Sequence, residues 1–345
     1  MASTDTKKND VLVWASKDGH YRRQVSSFRD SISIAPDSQF QPELNRYKLI
    51  VSYACPWAHR TLIVRALKGM DKVEGLLPYT SVNSFLGSNG WTFTSDEGPE
   101  GLGILGEGFV PGHKDKKLIR DFYREADPGY NAKCTVPIIW DEKNKTIVSN
   151  ESSEIIRFMN TCFDQFLPED KKGLSFYPED DKLRKEIDEL NEWVYDTINN
   201  GVYKCGFASK QEAYEANIKP LFKSLDRIES ILSDGRDYLI GNKLTEADIR
   251  LYTTIIRFDP VYVGHFKCNL NTIRAGYPEI HRWLRQLYWS VPGFKETTRF
   301  DHIKAHYYQS HSQINPTRIV PSGPAPDILP LEAQDSARKR QKTDS

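Results

Sequence analysis

Hydrophobic residues are spaced differently in the two halves of the chain. In the first half, "RYKLIVSYA" from Arg46 carries enough aliphatic and aromatic residues to predict a buried strand, and "WAHRTLIVRALKGM" after it has helical spacing. Further on, "TVPIIW" and "TIVS" are short β-rich runs, and the turn-forming "DEKNK" between them predicts a hairpin. A helix is expected in "SNESSEIIRFM". This order of elements predicts an α/β domain.

The second half of the chain has a helical pattern. Apolar residues recur three and four positions apart in two long stretches, which predicts amphipathic helices that bury one face. Another helix is expected to begin at Thr245, which forms a capping box with Asp248, while Leu244 and Ile249 form a hydrophobic staple. An all-α domain is therefore predicted. The periodic apolar positions are Leu183, Ile187, Leu190, Val194 and Ile198, and then Leu221, Leu225, Ile228 and Ile231.

Stretches without either pattern divide the chain. A polar N-terminal arm, patternless apart from "VLVWA", is expected to lie over a domain. A glycine-rich stretch that includes "SFLGSNGWTF" and "GPEGLGILGEGF" is too long for an ordinary connection and predicts a functional insertion. A disordered tail is expected after the helices, and its basic run "RKRQK" is either a nuclear-localisation signal or, as we favour, a solvated end. The expected boundaries are residues 1–44 for the arm, 45–162 for the α/β domain with its insertion at 75–130, 163–179 for a linker, 180–315 for the helical domain and 316–345 for the tail.

Charge and cysteine content narrow the class of function. The 345 residues suffice for about two domains, and 47 basic residues balance 47 acidic ones, so no net charge attracts nucleic acid or an acidic membrane. The 5 cysteines are odd in number and widely spaced, which fits neither a disulfide scaffold nor a zinc site and favours a reducing compartment. Neither a signal-peptide core nor a run of about 18 apolar residues occurs. We expect a cytoplasmic protein without a metal, whose partners are small molecules rather than nucleic acid or membrane.

One cysteine stands where the first predicted strand meets the first predicted helix. If that helix begins at Pro56, proline occupies the first helical position that it favours, and Cys55 becomes the N-cap beside unpaired backbone N–H groups. Helix N-termini lower the pKa of cysteine from about 8.5 to between about 3.5 and 7.5, which makes the thiolate nucleophilic at neutral pH. On local sequence alone, a buried and unreactive cysteine fits equally well. Residues further along the chain favour the nucleophile.

Val136, Pro137 and the residues before the next predicted helix form a second candidate site. In a thioredoxin-like domain, a proline that enters a central strand is a cis proline beside the active site, and the residue before it offers its backbone to a peptide-like ligand. Residues 149–152 lie at a predicted helix N-terminus, where N–H groups and hydroxyls hold a carboxylate and Glu151 pairs with an ammonium. These groups fit the γ-glutamyl end of glutathione. The simpler alternative is that Glu151 and Ser152 only cap the helix.

Because of these motifs and their order, the chain resembles the cysteine-type glutathione transferases. More narrowly, it resembles their xi class, the glutathionyl-hydroquinone reductases. The resemblance covers about residues 45–320. It implies the glutathione transferase fold, a thioredoxin-like N-terminal domain followed by an all-α helical domain, and a homodimer. The segments that carry it are "ACPWAHR", "TVPIIWD", "SNESSEIIR", "NNGVYKCGFA", "LTEADIRL", "RFDPVYVGHFKC" and "FDHIKAHYY".

The resemblance also implies roles for individual residues. Cys55 would be the nucleophile, and three tyrosines of the helical domain, Tyr203, Tyr262 and Tyr307, would face its sulfur, with Tyr308 as the alternative to Tyr307. Glutathione would be the co-substrate. It would be held by Trp91, by the segment Lys133, Cys134, Thr135, Val136 and Pro137, and by Glu151 with Ser152.

These residue types predict a thiol exchange. The Cys55 thiolate attacks the glutathione sulfur of an aryl thioether, and the leaving ring carbon takes a proton from the phenol of Tyr203, the expected general acid. Tyr262 and Tyr307 would favour the thiolate or bind the quinol ring. Because Ala58 stands where a Cys-x-x-Cys partner would be, a second glutathione must resolve the mixed disulfide.

Three functions are compatible with the sequence. The first is reduction of S-glutathionyl-hydroquinones, in which aromatic quinol conjugates are the substrates. The second is an omega-like glutathione transferase that reduces dehydroascorbate or protein mixed disulfides. The third is a ligand-binding module without catalysis, which has no need of a Cys-Pro helix start together with the tyrosines. The insertion and "NNGVYKCGFA" favour the first function over the second.

Overall fold

The first domain is built on a mixed sheet of four strands in the order β2-β1-β5-β6. The computed structural model describes residues 14–95 and 101–331. Strand β1 runs parallel to β2 and antiparallel to β5, and β5 and β6 form the expected hairpin. The thioredoxin-like arrangement is confirmed. The elements of this domain are β1 (Tyr47–Val51), α1 (Pro56–Leu67), β2 (Tyr79–Ser81), β3 (Leu86–Gly87), β4 (Gly90–Trp91), α2 (Ile119–Ala126), β5 (Ile138–Asp141), β6 (Thr146–Ser149) and α3 (Ser152–Met159).

The expected insertion includes part of the domain's core. Strand β2 pairs with β1 through Leu49 and Tyr79, and α2 packs against β6, so both belong to the sheet and its covering helices. The predicted insertion is thereby confined to the residues between β2 and α2, which carry the two-stranded β3–β4 hairpin. The sequence pattern missed β2 because a three-residue strand has no measurable periodicity.

The second domain is helical, as the apolar spacing predicts. Its amphipathic helices bury residues such as Ile187 in α4 and Leu225 in α6. Two π-helical turns, Tyr195–Asn199 and Phe258–Tyr262, interrupt the regular helices. Its α-helices are α4 (Asp181–Val194), α5 (Gly201–Gly206), α6 (Gln211–Leu232), α7 (Glu246–Ile255), α8 (Ile273–Gly276), α9 (Pro278–Ser290), α10 (Phe294–Thr297) and α11 (Phe300–Ser310).

The predicted capping box at the start of α7 is present and is part of a larger buried network. The carboxylate of Asp248 accepts hydrogen bonds from the Thr245 backbone N–H at 3.0 Å and hydroxyl at 3.2 Å. It also accepts one from the Leu239 N–H at 2.9 Å and one from the Trp283 indole at 3.0 Å. This side chain therefore ties the N-terminus of α7 to the loop before it and to α9.

We expect Asp248→Asn to lower the free energy of unfolding by about 2–4 kcal/mol. The amide NH₂ would take the place of a carboxylate oxygen that now accepts hydrogen bonds, and it would face buried donor groups. The measurement is denaturant unfolding monitored by circular dichroism. Asp180→Asn is the control, because Asp180 is an exposed N-cap that accepts from the Leu183 N–H, and asparagine caps equally well. Equal unfolding midpoints for Asp248→Asn and the wild type would contradict the role of the network.

The chain ends lie against the domains where they are described. The arm pairs with β6 through a bridge between Arg29 and Ser149, which agrees with an arm laid over a domain. The sequence suggests disorder after residue 315, but residues 316–331 lie against the helical domain, because backbone carbonyls of this segment accept hydrogen bonds from it. The Trp289 indole donates to the Leu329 carbonyl at 2.9 Å, for example. Most of "VLVWA" and all of "RKRQK" lie outside the described residues.

No helix within residues 14–95 and 101–331 is both long enough and apolar enough to cross a membrane.

Candidate active site

Cys55 is the N-cap of α1, and Pro56 is the first residue of that helix, as predicted. The backbone of Cys55 is extended, with φ −74° and ψ 119°, which directs the following N–H groups of the helix toward its side chain. Its sulfur lies 3.5 Å from the carbonyl oxygen of Val136 and donates to it. The two candidate sites of the sequence therefore meet at this contact.

A buried arginine from the helical domain fixes the turn that precedes the nucleophile. Arg257 donates to the carbonyls of Tyr53 and Ala54, each at 3.0 Å, and a further guanidinium N–H lies 3.1 Å from Nδ1 of His59. Its positive charge also acts on the Cys55 thiol and favours the thiolate. Sequence reasoning missed this residue, although it lies in one of the segments that carry the family resemblance.

The pKa of the Cys55 thiol is raised above its ordinary value, which differs from the expected lowering. Burial is the largest cause, because a charged sulfur loses its hydration inside the protein. The N–H groups of Ala58 and Trp57 and the charges of Arg23 and Arg257 oppose burial without reversing it. The helix N-terminus therefore lowers the pKa of Cys55 as predicted. Burial of the thiol, which the local sequence does not encode, has the larger effect and raises that pKa.

Alkylation of Cys55 in the free protein is expected to accelerate through a midpoint above about pH 8.5, since only the thiolate reacts and a raised pKa delays its formation. The measurement is the iodoacetamide rate against pH, with the labelled residue identified by mass spectrometry. Cys134 gives little interference, because burial raises its pKa to about 11. A midpoint below pH 8 would mean that the helix N-terminus and the arginines outweigh burial.

The segment before Pro137 is held by two tyrosines of the first domain. The Val136–Pro137 peptide bond is cis, as expected. The Tyr123 hydroxyl donates to the Thr135 carbonyl at 2.9 Å, and the Tyr130 hydroxyl donates to the Lys133 carbonyl at 3.0 Å. These contacts fix the edge along which a peptide-like ligand would lie.

The three tyrosines named in the sequence lie together. The hydroxyls of Tyr203 and Tyr307 are 2.5 Å apart, and those of Tyr262 and Tyr307 are 3.1 Å apart, so Tyr307 is the middle member of a chain of phenols. Burial raises the pKa of Tyr262 to about 12, and it raises the pKa values of Tyr203 and Tyr307 well above their ordinary value. All three phenols therefore stay protonated near neutral pH.

The structure distinguishes the two adjacent tyrosines of α11. The Tyr308 hydroxyl donates to the carbonyl of Pro260 at 3.3 Å, away from the cavity, whereas Tyr307 lines it. Tyr262 does not line the cavity and is fully buried behind Tyr307. Both π-helical turns lie beside this cluster, since Tyr262 ends one of them and Tyr203 follows the other closely.

The groups expected to hold the γ-glutamyl end lie at the N-terminus of α3. Glu151 is the N-cap and accepts from the Ser153 N–H at 3.1 Å and from the Ser26 hydroxyl at 2.9 Å. Burial raises the pKa of Glu151, but the Ser153 N–H, Arg23 and the serine hydroxyls outweigh it, so the carboxyl is ionised. The Ser152 hydroxyl is buried and has no hydrogen-bond partner among the described residues. The capping alternative is thus realised by Glu151 alone, and Ser152 retains a hydroxyl for a ligand.

These residues surround a cavity of about 170 Å³. The predicted residues Tyr262, Pro137, Glu151 and Ser152 lie behind or beside it rather than in its lining. Trp91 lines it and stacks on His306 at 4.9 Å between ring centroids. The remaining predicted residues in the lining are Cys55, Tyr203, Tyr307, Lys133, Cys134, Thr135 and Val136.

The N-terminal arm forms a wall of this cavity that sequence reasoning missed. Trp14 and residues 21–26 line it. Trp14 stacks on Phe207 at 4.7 Å, and Tyr21 stacks on Tyr203 at 5.9 Å. The part of the sequence that could have indicated this wall is "GHYRRQVSSFR", which concentrates aromatic and basic residues in an otherwise polar arm.

Comparison with known proteins agrees with this geometry. Residues 54–162 match the glutathione S-transferase N-terminal domain, and residues 211–286 match the C-terminal domain. The glutathione S-transferase omega-like 2 of Schizosaccharomyces pombe is 52% identical over 92% of this chain and 97% of its own. The glutathionyl-hydroquinone reductase YqjG of Escherichia coli is 48% identical over 91% of this chain and 92% of its own.

Solved structures show the same relationship. The glutathione transferase Xi of Phanerochaete chrysosporium superposes with a TM-score of 0.85 at 56% identity, covering 92% of this chain and 97% of that one. The Xi glutathione transferase ECM4 of Saccharomyces cerevisiae, solved in complex with glutathione, superposes with a TM-score of 0.83 at 46% identity and covers 89% and 100%. The chain therefore belongs to the glutathione S-transferase family of enzymes, in the xi class of glutathionyl-hydroquinone reductases.

Proposed function

We propose that the protein reduces S-glutathionyl-hydroquinones to hydroquinones, with glutathione as the co-substrate. The observation that carries this proposal is the cavity itself, in which the Cys55 thiol and the phenols of Tyr203 and Tyr307 share one lining. A thiol alone suffices for exchange between sulfur atoms. A buried, protonated phenol in the same cavity is what cleavage of a carbon–sulfur bond additionally requires.

Substrate binding promotes ionisation of the nucleophile in this proposal. The Cys55 thiol donates to the Val136 carbonyl, the acceptor that a peptide N–H of glutathione would take. Once that carbonyl is occupied, the thiol loses its partner, while the N–H groups of α1 and the charge of Arg257 continue to stabilise the thiolate. Ionisation is thereby coupled to the presence of substrate.

The first chemical step forms a disulfide and breaks a carbon–sulfur bond. The Cys55 thiolate attacks the glutathione sulfur of the conjugate, and the electron pair of the carbon–sulfur bond passes to the ring carbon. Tyr203 donates its phenolic proton to that carbon, which releases the hydroquinone. Tyr307 stabilises the resulting tyrosinate by donating to it across their 2.5 Å contact.

The second step restores the enzyme. A second glutathione attacks the mixed disulfide, forms glutathione disulfide and releases the Cys55 thiolate, and its thiol proton returns to Tyr203. Ala58 lies one turn into α1 where a resolving cysteine would stand, so the cycle is monothiol. The sum is one conjugate and one glutathione converted into one hydroquinone and one glutathione disulfide.

The test is a side-by-side assay of one glutathionylated hydroquinone and dehydroascorbate, each with glutathione in excess. We expect the higher kcat/KM with the quinol conjugate. Preference for dehydroascorbate would favour the second candidate function, an omega-like transferase, which the name of the Schizosaccharomyces pombe relative also suggests. Turnover of neither substrate would leave a ligand-binding module.

We also propose that the protein is a homodimer in the reducing cytoplasm. All five cysteines are free thiols, which supports a reducing compartment. Light scattering after gel filtration tests the dimer, and a monomeric mass would contradict it.

A further inference from the structure

Arg23 of the N-terminal arm presents a guanidinium group to the cavity. Its Nη1 atom is buried and finds no hydrogen-bond partner among the described residues. The guanidinium lies 3.8 Å from the ring centroid of Trp57, which follows the Cys55-Pro56 pair. This cation–π contact restrains the guanidinium group beside the cavity.

The charges around Arg23 are complementary to an amino-acid head group. Arg23 is close enough to Glu151 to stabilise that carboxylate, and Glu151 lies at the N-terminus of α3 beside the unpartnered Ser152 hydroxyl. A free amino-acid end carries one ammonium and one carboxylate. In glutathione only the γ-glutamyl residue has both, since the glycine end has a carboxylate alone.

Two other arginines, Arg60 and Arg257, lie near the site but do not line the cavity. Arg257 donates to backbone carbonyls on both sides of the domain boundary. Arg60 donates from Nη2 to Asn199 and to the Arg250 carbonyl, and although its Nε has no partner among the described residues, the side chain is completely buried away from the cavity. Arg22 also lines the cavity, but its side chain is exposed and paired with Asp18. Arg23 is therefore the arginine placed to receive a ligand carboxylate beside Glu151.

We propose that Arg23 binds the α-carboxylate of the γ-glutamyl residue of glutathione while Glu151 takes its ammonium, so that the arm supplies part of the glutathione site. This inference rests on the proposed function only in that glutathione is the ligand. Because residues on both sides of Arg23 contact the two domains, through Tyr21 on Tyr203 and Ser26 on Glu151, the arm holds the guanidinium in register with the site.

The experiment measures binding of unreactive S-methyl peptides by calorimetry at one ionic strength. S-methylglutathione and S-methyl-γ-glutamylcysteine keep the γ-glutamyl group, whereas S-methylcysteinylglycine lacks it. For Arg23→Gln we expect about a 10- to 100-fold loss of affinity for the first two ligands and none for the third, because one charge-assisted hydrogen bond is lost. Arg23→Lys should recover part of the loss, since it keeps the charge but not the planar donors.

The control is Arg29→Gln, on the same arm, whose side chain is exposed and paired with Glu154 outside the cavity. It should bind all three ligands as the wild type does. Equal losses for the three ligands in Arg23→Gln would overturn the proposal, because they would indicate displacement of the arm, and so would no loss for any ligand. Failure of the wild type to bind S-methylglutathione would instead overturn the proposed function.

Discussion

Cys55→Ser is expected to reduce turnover of a glutathionylated hydroquinone by at least about 10³-fold while leaving the fold intact. The serine hydroxyl is far less acidic than a thiol and forms no disulfide, so the first step is blocked. Serine is nevertheless a favourable N-cap, and α1 keeps Pro56 as its first residue. The measurements are initial rates and the thermal unfolding midpoint of the two proteins.

Cys162→Ser is the matched control for this prediction. The Cys162 thiol is buried and donates to the Ile32 carbonyl at 2.8 Å, a hydrogen bond that a hydroxyl also makes. It lies outside the cavity lining, so we expect full activity. If Cys55→Ser keeps more than a tenth of the wild-type rate, Cys55 is not the nucleophile. If it unfolds, the capping argument is wrong.

Features set by neighbouring residues could be predicted from the sequence. The start of α1 at Pro56 and the capping box at Thr245 depend on residues within one helical turn, and both are present. The hairpin of β5 and β6 follows from two β-rich runs and a short turn. Local rules succeed here because the partners of each group lie close to it in the chain.

Features that depend on distant partners could not be predicted. The pKa of Cys55 depends on how deeply two domains and an arm bury it, and no local pattern encodes that depth. The choice between Tyr307 and Tyr308 required the position of the Pro260 carbonyl. The contribution of the arm to the cavity could not be predicted because its contacts there come from aromatic stacking at single residues rather than from a periodic apolar face.

The family resemblance supplied what local rules did not. Of the three tyrosines, none stands out by its own sequence context in a chain with 17 of them. The structure brings all three hydroxyls into one hydrogen-bonded chain but gives them unequal positions, since Tyr262 lies behind Tyr307 and only Tyr203 and Tyr307 reach the cavity. Unequal positions imply unequal roles, which kinetics can separate.

Tyr203→Phe should therefore separate two reactions that the wild type performs with the same thiol. Release of a hydroquinone needs a proton on carbon, whereas exchange with a small mixed disulfide releases a thiolate and needs none. General acid catalysis contributes about 10²- to 10⁴-fold, so we expect a loss of that size with the quinol conjugate and only a small change with the disulfide. The measurement is kcat for both substrates at one pH.

Variants of the other tyrosines test the roles of the remaining phenols. Tyr262→Phe should slow both reactions if its phenol helps to keep Cys55 ionised, since Tyr262 does not reach the cavity. Tyr307→Phe should do the same, or raise chiefly the KM for the quinol if Tyr307 only binds the ring. Tyr308→Phe is the control, because its hydroxyl bonds to the Pro260 carbonyl outside the cavity and should affect neither reaction. Equal losses in both assays for Tyr203→Phe would remove its role as proton donor. Tyr203 would then belong with the groups that stabilise the thiolate. Tyr307, whose hydroxyl lies 2.5 Å from that of Tyr203, would be the next candidate for the proton donor.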